Sequence, residues 1–372
     1  MIFKEAFEHY RSGTATPEEL EYIQQELEKN QLLNEYMEKD FEIDLESENT
    51  SSAELKKVKK TIRRRSRNLV AISVAIVIFL AVIAHYAASP LLSKLYYNPM
   101  TNEVDEFAYD VNFPFIAYTE LHQAGIYYGD TIVENTGIGK YSMTLVRYDL
   151  STGESDYLSA SMDKNKLDVP VSFKRDNLSM NIFARASSPT YDLDAETKEN
   201  FIMELEALPD YINVTAAVSF SEDLNMSQLI DTMGKSDLGF LWAGIRNSPE
   251  DVQRYPLCGM DLTGAGYIYE GINKEYPKFE LSSTSSNADL TAADYETHFK
   301  SLVKYSMDHA DFLKSLEDSD YATYYSSVLD YVESDGVKTY GVMVQGSATD
   351  ILALMDNGNV SQIWPMNADV SF

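Results

Sequence analysis

Two histidines, His298 and His309, stand eleven positions apart, close to three helical turns, so an unbroken helix would carry both on one face. Glu296 and Asp308 lie beside them, and imidazole with carboxylate is the donor set of a divalent metal or of proton transfer. A helical metal site needs ligands at i, i+4 or from another element; without them the four side chains read as exposed polar residues. Cys258 is the one cysteine, which excludes an intramolecular disulfide, and with no histidine near it in sequence it reads as a buried structural thiol. The acid runs Asp192–Glu199 and Glu317–Asp320 could attract calcium or cationic peptides. They lack the D-x-D-x-D-G loop and read as solvated surface. Gly264-Ala265-Gly266 precedes tyrosines and not a helix start, so it reads as a turn and not a phosphate loop. No G-x-S-x-G elbow and no H-E-x-x-H is present. The chain is expected to be no enzyme and to use no cofactor and no metal.

The elements that would position these residues fall into an α+β pattern. Tyr211–Phe220 reads as a strand, Ser221–Met233 as a helix capped by Ser221, and Leu238–Arg246 as a strand. The order returns near the end: strand Lys338–Gln345, helix Ala348–Met355, strand Ser361–Met366. Each copy sets a tryptophan, Trp242 or Trp364, in its second strand, where a core role is expected. Two strand-helix-strand units, with helices around Ala292–Leu316 and Tyr321–Val332 between them, predict a ferredoxin-like α+β module over 205–372. Residues 89–204 read mostly as strands and turns, with alternation at Tyr141–Leu150, the turn STGES after it, and a strand at Leu167–Phe173.

The chain has 372 residues, 44% apolar, and a net charge of −29, so it can bury a core and carries no surface suited to nucleic acid. Its one strongly basic stretch, residues 56–67, holds eight basic side chains including Arg63, Arg64, Arg65 and Arg67. Residues 69–88 follow with no formal charge, which predicts one transmembrane helix. The distal flank Ser89–Val104 has only Lys94 as a base, so the N-terminus is expected in the cytoplasm and the C-terminal bulk outside, in the cell membrane as a single-pass protein. The arginines serve as the membrane anchor against anionic lipid. Residues 49–68 form the polar linker and basic run.

Residues 1–48 hold fourteen acids against four basic residues, yet their apolar residues recur at helical spacing. Phe3, Phe7 and Tyr10, with Ile2 and Ala6, form one stripe; Gly13 suits its end. Thr16 is a natural N-cap, Pro17 a first helical residue, and Glu19 can close a capping box. Leu20, Ile23, Leu27 and Tyr36 continue the second stripe. A hairpin this small cannot bury enough surface to stand alone, so another protein is expected to cover it.

The segment FEHYRSGTATPEELEYIQQELEKNQLLNEYMEK, followed by a linker and a basic run, resembles the N-terminus of Gram-positive anti-sigma factors of the sigma-factor-regulator family. LYYNPMTNEVDEF and GIGKYSMTLVRYDLSTGE are similar to that family's first outer module, and AVSFSEDL, FLWAGI and YGVMVQGSATDILAL to its C-terminal module. The resemblance implies a membrane-anchored anti-sigma factor that sequesters an extracytoplasmic-function sigma factor and regulates transcription in response to an envelope signal. It makes the sigma factor the partner of Phe3, Phe7, Tyr10, Leu20, Ile23, Leu27 and Tyr36, with membrane lipid and a second membrane protein as further partners. The alternative is a surface receptor whose acidic outer domain binds a cation, a peptide or a wall component.

Overall fold

The computed structural model describes residues 6–7, 9, 16–26, 28–29, 32, 52–93, 95–100, 103–105, 108–174, 182–184, 192–249, 257–282, 290–316, 321–356 and 359–370. Its contacts divide it into two units, Met1–His85 and Tyr86–Phe372. In the first, helical backbone covers 17–26, and α1 (Ser52–Ser93) is a 42-residue helix that continues past the boundary of the units.

The transmembrane helix expected over 69–88 is corrected by α1. Among the described residues no helix is long and apolar enough to cross a membrane. α1 carries the basic residues Arg63, Arg64, Arg65 and Arg67 ahead of its apolar part. The fold class is α+β with two larger antiparallel sheets, and the spanning helix is not part of it.

The second unit opens with the short pair β1 (Glu103–Asp105) and β2 (Ala108–Tyr109), then α2 (Asn112–His122). A four-stranded antiparallel sheet follows in sequential order: β3 (Ile126–Gly137), β4 (Lys140–Asp149), β5 (Ser155–Asp163) and β6 (Lys166–Asp168). Along β4, Tyr141, Met143, Leu145 and Arg147 are buried on the covered face of the sheet and Ser142 and Tyr148 are exposed on the other, where Val146 alone is also buried. Gly153 takes φ +72 in the STGES turn, where a residue with a Cβ would be strained. The strand expected at 167–173 ends at Asp168; α3 (Val171–Lys174) replaces its second half after Pro170.

After α4 (Ala195–Glu206) come β7 (Ile212–Asn225), α5 (Met226–Met233), β8 (Gly239–Ile245), β9 (Gly259–Asp261), α6 (Glu270–Glu275), α7 (Ala292–Asp308), α8 (Ala310–Leu316), α9 (Tyr321–Asp335), β10 (Lys338–Ser347), α10 (Ala348–Asp356) and β11 (Val360–Val370). The five-stranded sheet has the order β11-β7-β10-β8-β9 with every neighbouring pair antiparallel. Thus β7-α5-β8 and β10-α10-β11 are two interleaved βαβ units, with β9 and four helices inserted between them. β7 runs five residues beyond the expected Phe220, since Leu224 and Asn225 still pair with Thr339 and Lys338. The cap of α5 is therefore Asn225, not Ser221, and it closes a capping box with Gln228.

Both faces of this sheet are covered. Val214, Ala216, Val218, Val342 and Val344 join the main core, which also contains Tyr141, Met143 and Leu145 of the other sheet; Ala217, Trp242 and Met343 pack on the opposite face with Phe183. Between the sheets lies α2, all eleven of whose residues are buried. It packs on β3, β9, α7 and α8. Its anchor is Asn112, whose amide donates to Asp130 Oδ1 at 2.8 Å and accepts from Thr131 N–H at 3.0 Å.

Candidate functional site

The N-terminal unit forms its local structure as the residue types dictate. Thr16 N–H donates to Glu19 Oε2 at 2.8 Å and Glu19 N–H to Thr16 Oγ1 at 3.3 Å, a reciprocal cap that starts the helix at Pro17. His9 Nδ1 stands 2.7 Å from Glu19 Oε1 and ties the preceding helical residues to that cap. The Thr16 N–H and then His9 hold the Glu19 carboxyl below the usual range. Of the apolar stripe, Ala6 and Ile23 are buried, whereas Phe7 is 45%, Leu20 42% and Leu32 64% exposed. Phe3, Tyr10, Leu27 and Tyr36 lie outside the described residues. On α1, Arg63, Arg64, Arg65 and Arg67 are all exposed.

The second unit contains a polar cluster that the sequence did not announce. His298, on α7, is 1% exposed, which corrects its reading as a surface residue; His309 ends the helix as its C-cap and stacks on Tyr305. His298 Nδ1 lies 2.7 Å from the Lys278 carbonyl and Nε2 lies 2.5 Å from Glu120 Oε1. Glu120 belongs to α2, and its Oε1 also accepts Asp261 N–H at 3.0 Å while its backbone carbonyl accepts the Trp242 indole N–H at 2.8 Å. Asp261 Oδ1 accepts from Thr263 N–H at 2.7 Å and Thr263 Oγ1 at 2.6 Å. Glu280 is buried beside them, and its Oε1 has no hydrogen-bond partner among the described residues.

The electrostatics follow from this crowding of acids. Burial, then the Glu120 charge, push the Asp261 carboxyl up to about 7 against the Thr263 bonds. Burial, then Glu120 and Asp261, raise Glu280 well above the carboxylate range. For His298 burial works against the charged ring, but Glu120, the Lys278 carbonyl and Asp261 raise it overall. No group of three or more His, Cys, Asp or Glu among the described residues could hold a metal ion. Cys258 is buried, in the core, as its type suggested. Trp242 is 1% exposed, and Trp364 is half-buried against Phe201.

Residues 205–363 match the family described as sigma factor regulator C-terminal. This regulator module is a similarity over a little under half of the chain. No curated protein and no solved structure matches the chain. The regulator module runs from the end of α4 into β11, and so contains Trp242, Asp261, Glu280 and His298. Glu120 lies outside it, in α2, and is one of the residues through which the preceding strand-rich segment grips the module. A family of this kind is regulatory and works through a sigma factor.

Proposed function

We propose that the protein is an anti-sigma factor whose N-terminal helices hold an extracytoplasmic-function sigma factor inactive until an envelope signal releases it. The observation that carries this reading is the regulator module joined, in one chain, to an acidic helical segment that leaves Leu20 and Leu32 exposed. Apolar side chains at helical spacing fill a groove on a partner, and acidity at residues 1–48 suits a basic one. Deleting residues 1–48 from the gene is expected to raise transcripts of the controlled sigma factor's promoters. A chain acting only as a surface receptor for a cation, peptide or wall component would leave them unchanged, and that result rejects the proposal.

A location at the cell membrane belongs to the same proposal. It is supported by Arg63, Arg64, Arg65 and Arg67 on one exposed stretch of helix, a surface for anionic lipid with a second membrane protein as a further partner. Replacing the four by Gln should weaken flotation with anionic vesicles by roughly 1 kcal/mol per charge removed. Unchanged flotation contradicts the lipid contact.

A further inference from the structure

We propose that the clamp between α2 and the regulator module is proton-dependent: the Glu120–His298 contact holds only while a proton lies between the two side chains, so the clamp loosens as the pH rises. The argument begins with the hydrogen-bond inventory. The Lys278 carbonyl can only accept, so His298 Nδ1 must carry a hydrogen. Glu120 Oε1 already accepts Asp261 N–H, so the Nε2 contact to the same oxygen needs its own proton, as imidazolium against carboxylate or imidazole against carboxylic acid. Remove that proton and a nitrogen lone pair faces a buried carboxylate. His122, two residues further along α2, shows the contrasting design: its Nδ1 faces the Leu257 carbonyl at 2.6 Å and its Nε2 faces the Tyr325 hydroxyl at 2.6 Å. A neutral ring satisfies both, because the phenol donates.

The groups facing the contact reinforce this dependence. Asp261 comes from β9, Glu280 from the segment after α6, Tyr127 from β3 and Tyr295 from α7. Each gains negative charge or stays neutral as the pH rises. Lys278 presents its carbonyl to His298 while its ammonium pairs with Asp294 at 3.0 Å, so it adds no positive charge to the cluster's centre. Gly266 packs its backbone on the Glu280 carboxylate, where a Cβ would collide. The sign is the same for each titrating member. A histidine raised in the folded state contributes fully below its ordinary 6.5, and that contribution is lost as the pH climbs past it. Carboxyls raised in the folded state, with Asp261 at about 7, also favour the closed form at acid pH and lose it on the way up.

The test is hydrogen exchange of the α2 amides in the full chain between pH 6.5 and 8.5, corrected for intrinsic exchange. One proton released per opening gives an opening constant that rises up to about tenfold per pH unit. In E120Q the amide donates to a neutral ring while its oxygen still accepts Asp261 N–H, so the rise should fall to half or less. If E120Q does not fold, H298Q takes its place with the same expectation. A wild-type opening constant that is flat or falls with pH overturns the proposal, and so does a variant with the wild-type slope. The outcome does not depend on whether the N-terminal unit binds a sigma factor.

Discussion

Thr291 and Asp294 show how single residues set the start of α7, the helix that carries His298. Thr291 N–H donates to Asp294 Oδ2 at 2.9 Å, Asp294 N–H donates to Thr291 Oγ1 at 3.3 Å, and Lys278 Nζ stands 3.0 Å from Asp294 Oδ1. The Thr291 bonds, then Lys278, hold the Asp294 carboxyl down at about 2. Thr291→Ala should cost about 1 kcal/mol, read as the urea midpoint of the full chain. Because that carboxyl is depressed, its contribution is present above its ordinary 3.8 and lost as the pH falls toward 2, opposite in sign to the Glu120 cluster. The cap at Thr16 was legible in the sequence because capping is local to four residues. His298 was not, since its burial depends on Glu120, 178 positions away.

At the scale of elements, β9 lies closer to β8 than any side chain would allow. A Cβ on Gly259 would overlap the Trp242 ring and the Ala243 carbonyl, and the second of these is backbone that cannot swing away. Gly259→Ala should therefore destabilise the chain by about 1–3 kcal/mol or more and red-shift tryptophan emission as Trp242 is displaced. Unchanged stability and emission would show that β9 is free to shift. The strands and helices of the two βαβ units were legible because apolar runs of strand length alternate with periodic helices, bounded by turn residues. α2 escaped notice: NFPFIAYTELH is buried on every side, so no 3.6-residue polar face marks it, and its β-branched and aromatic residues suit a strand as well. α4 was hidden by acids that read as surface, though Asp194 caps it through Thr197 N–H at 2.7 Å.

For the whole molecule, one core joins the strand-rich segment to the regulator module, while the N-terminal helices form part of a separate unit with apolar residues left exposed. The helical start at Pro17 was legible in the sequence, since the Thr16–Glu19 cap needs only local spacing. Which stripe residues turn inward was not, because Ile23 and Leu20 share a helical face and only packing separates them. The central claim is that the exposed apolar residues take a sigma factor. It is tested most directly by purifying the tagged full chain from its own cells and identifying the bound proteins by mass spectrometry. The account predicts a sigma factor with the wild-type chain and its loss with Phe7→Asp/Leu20→Asp; recovery of no sigma factor with the wild type, or equal recovery with the variant, would contradict it.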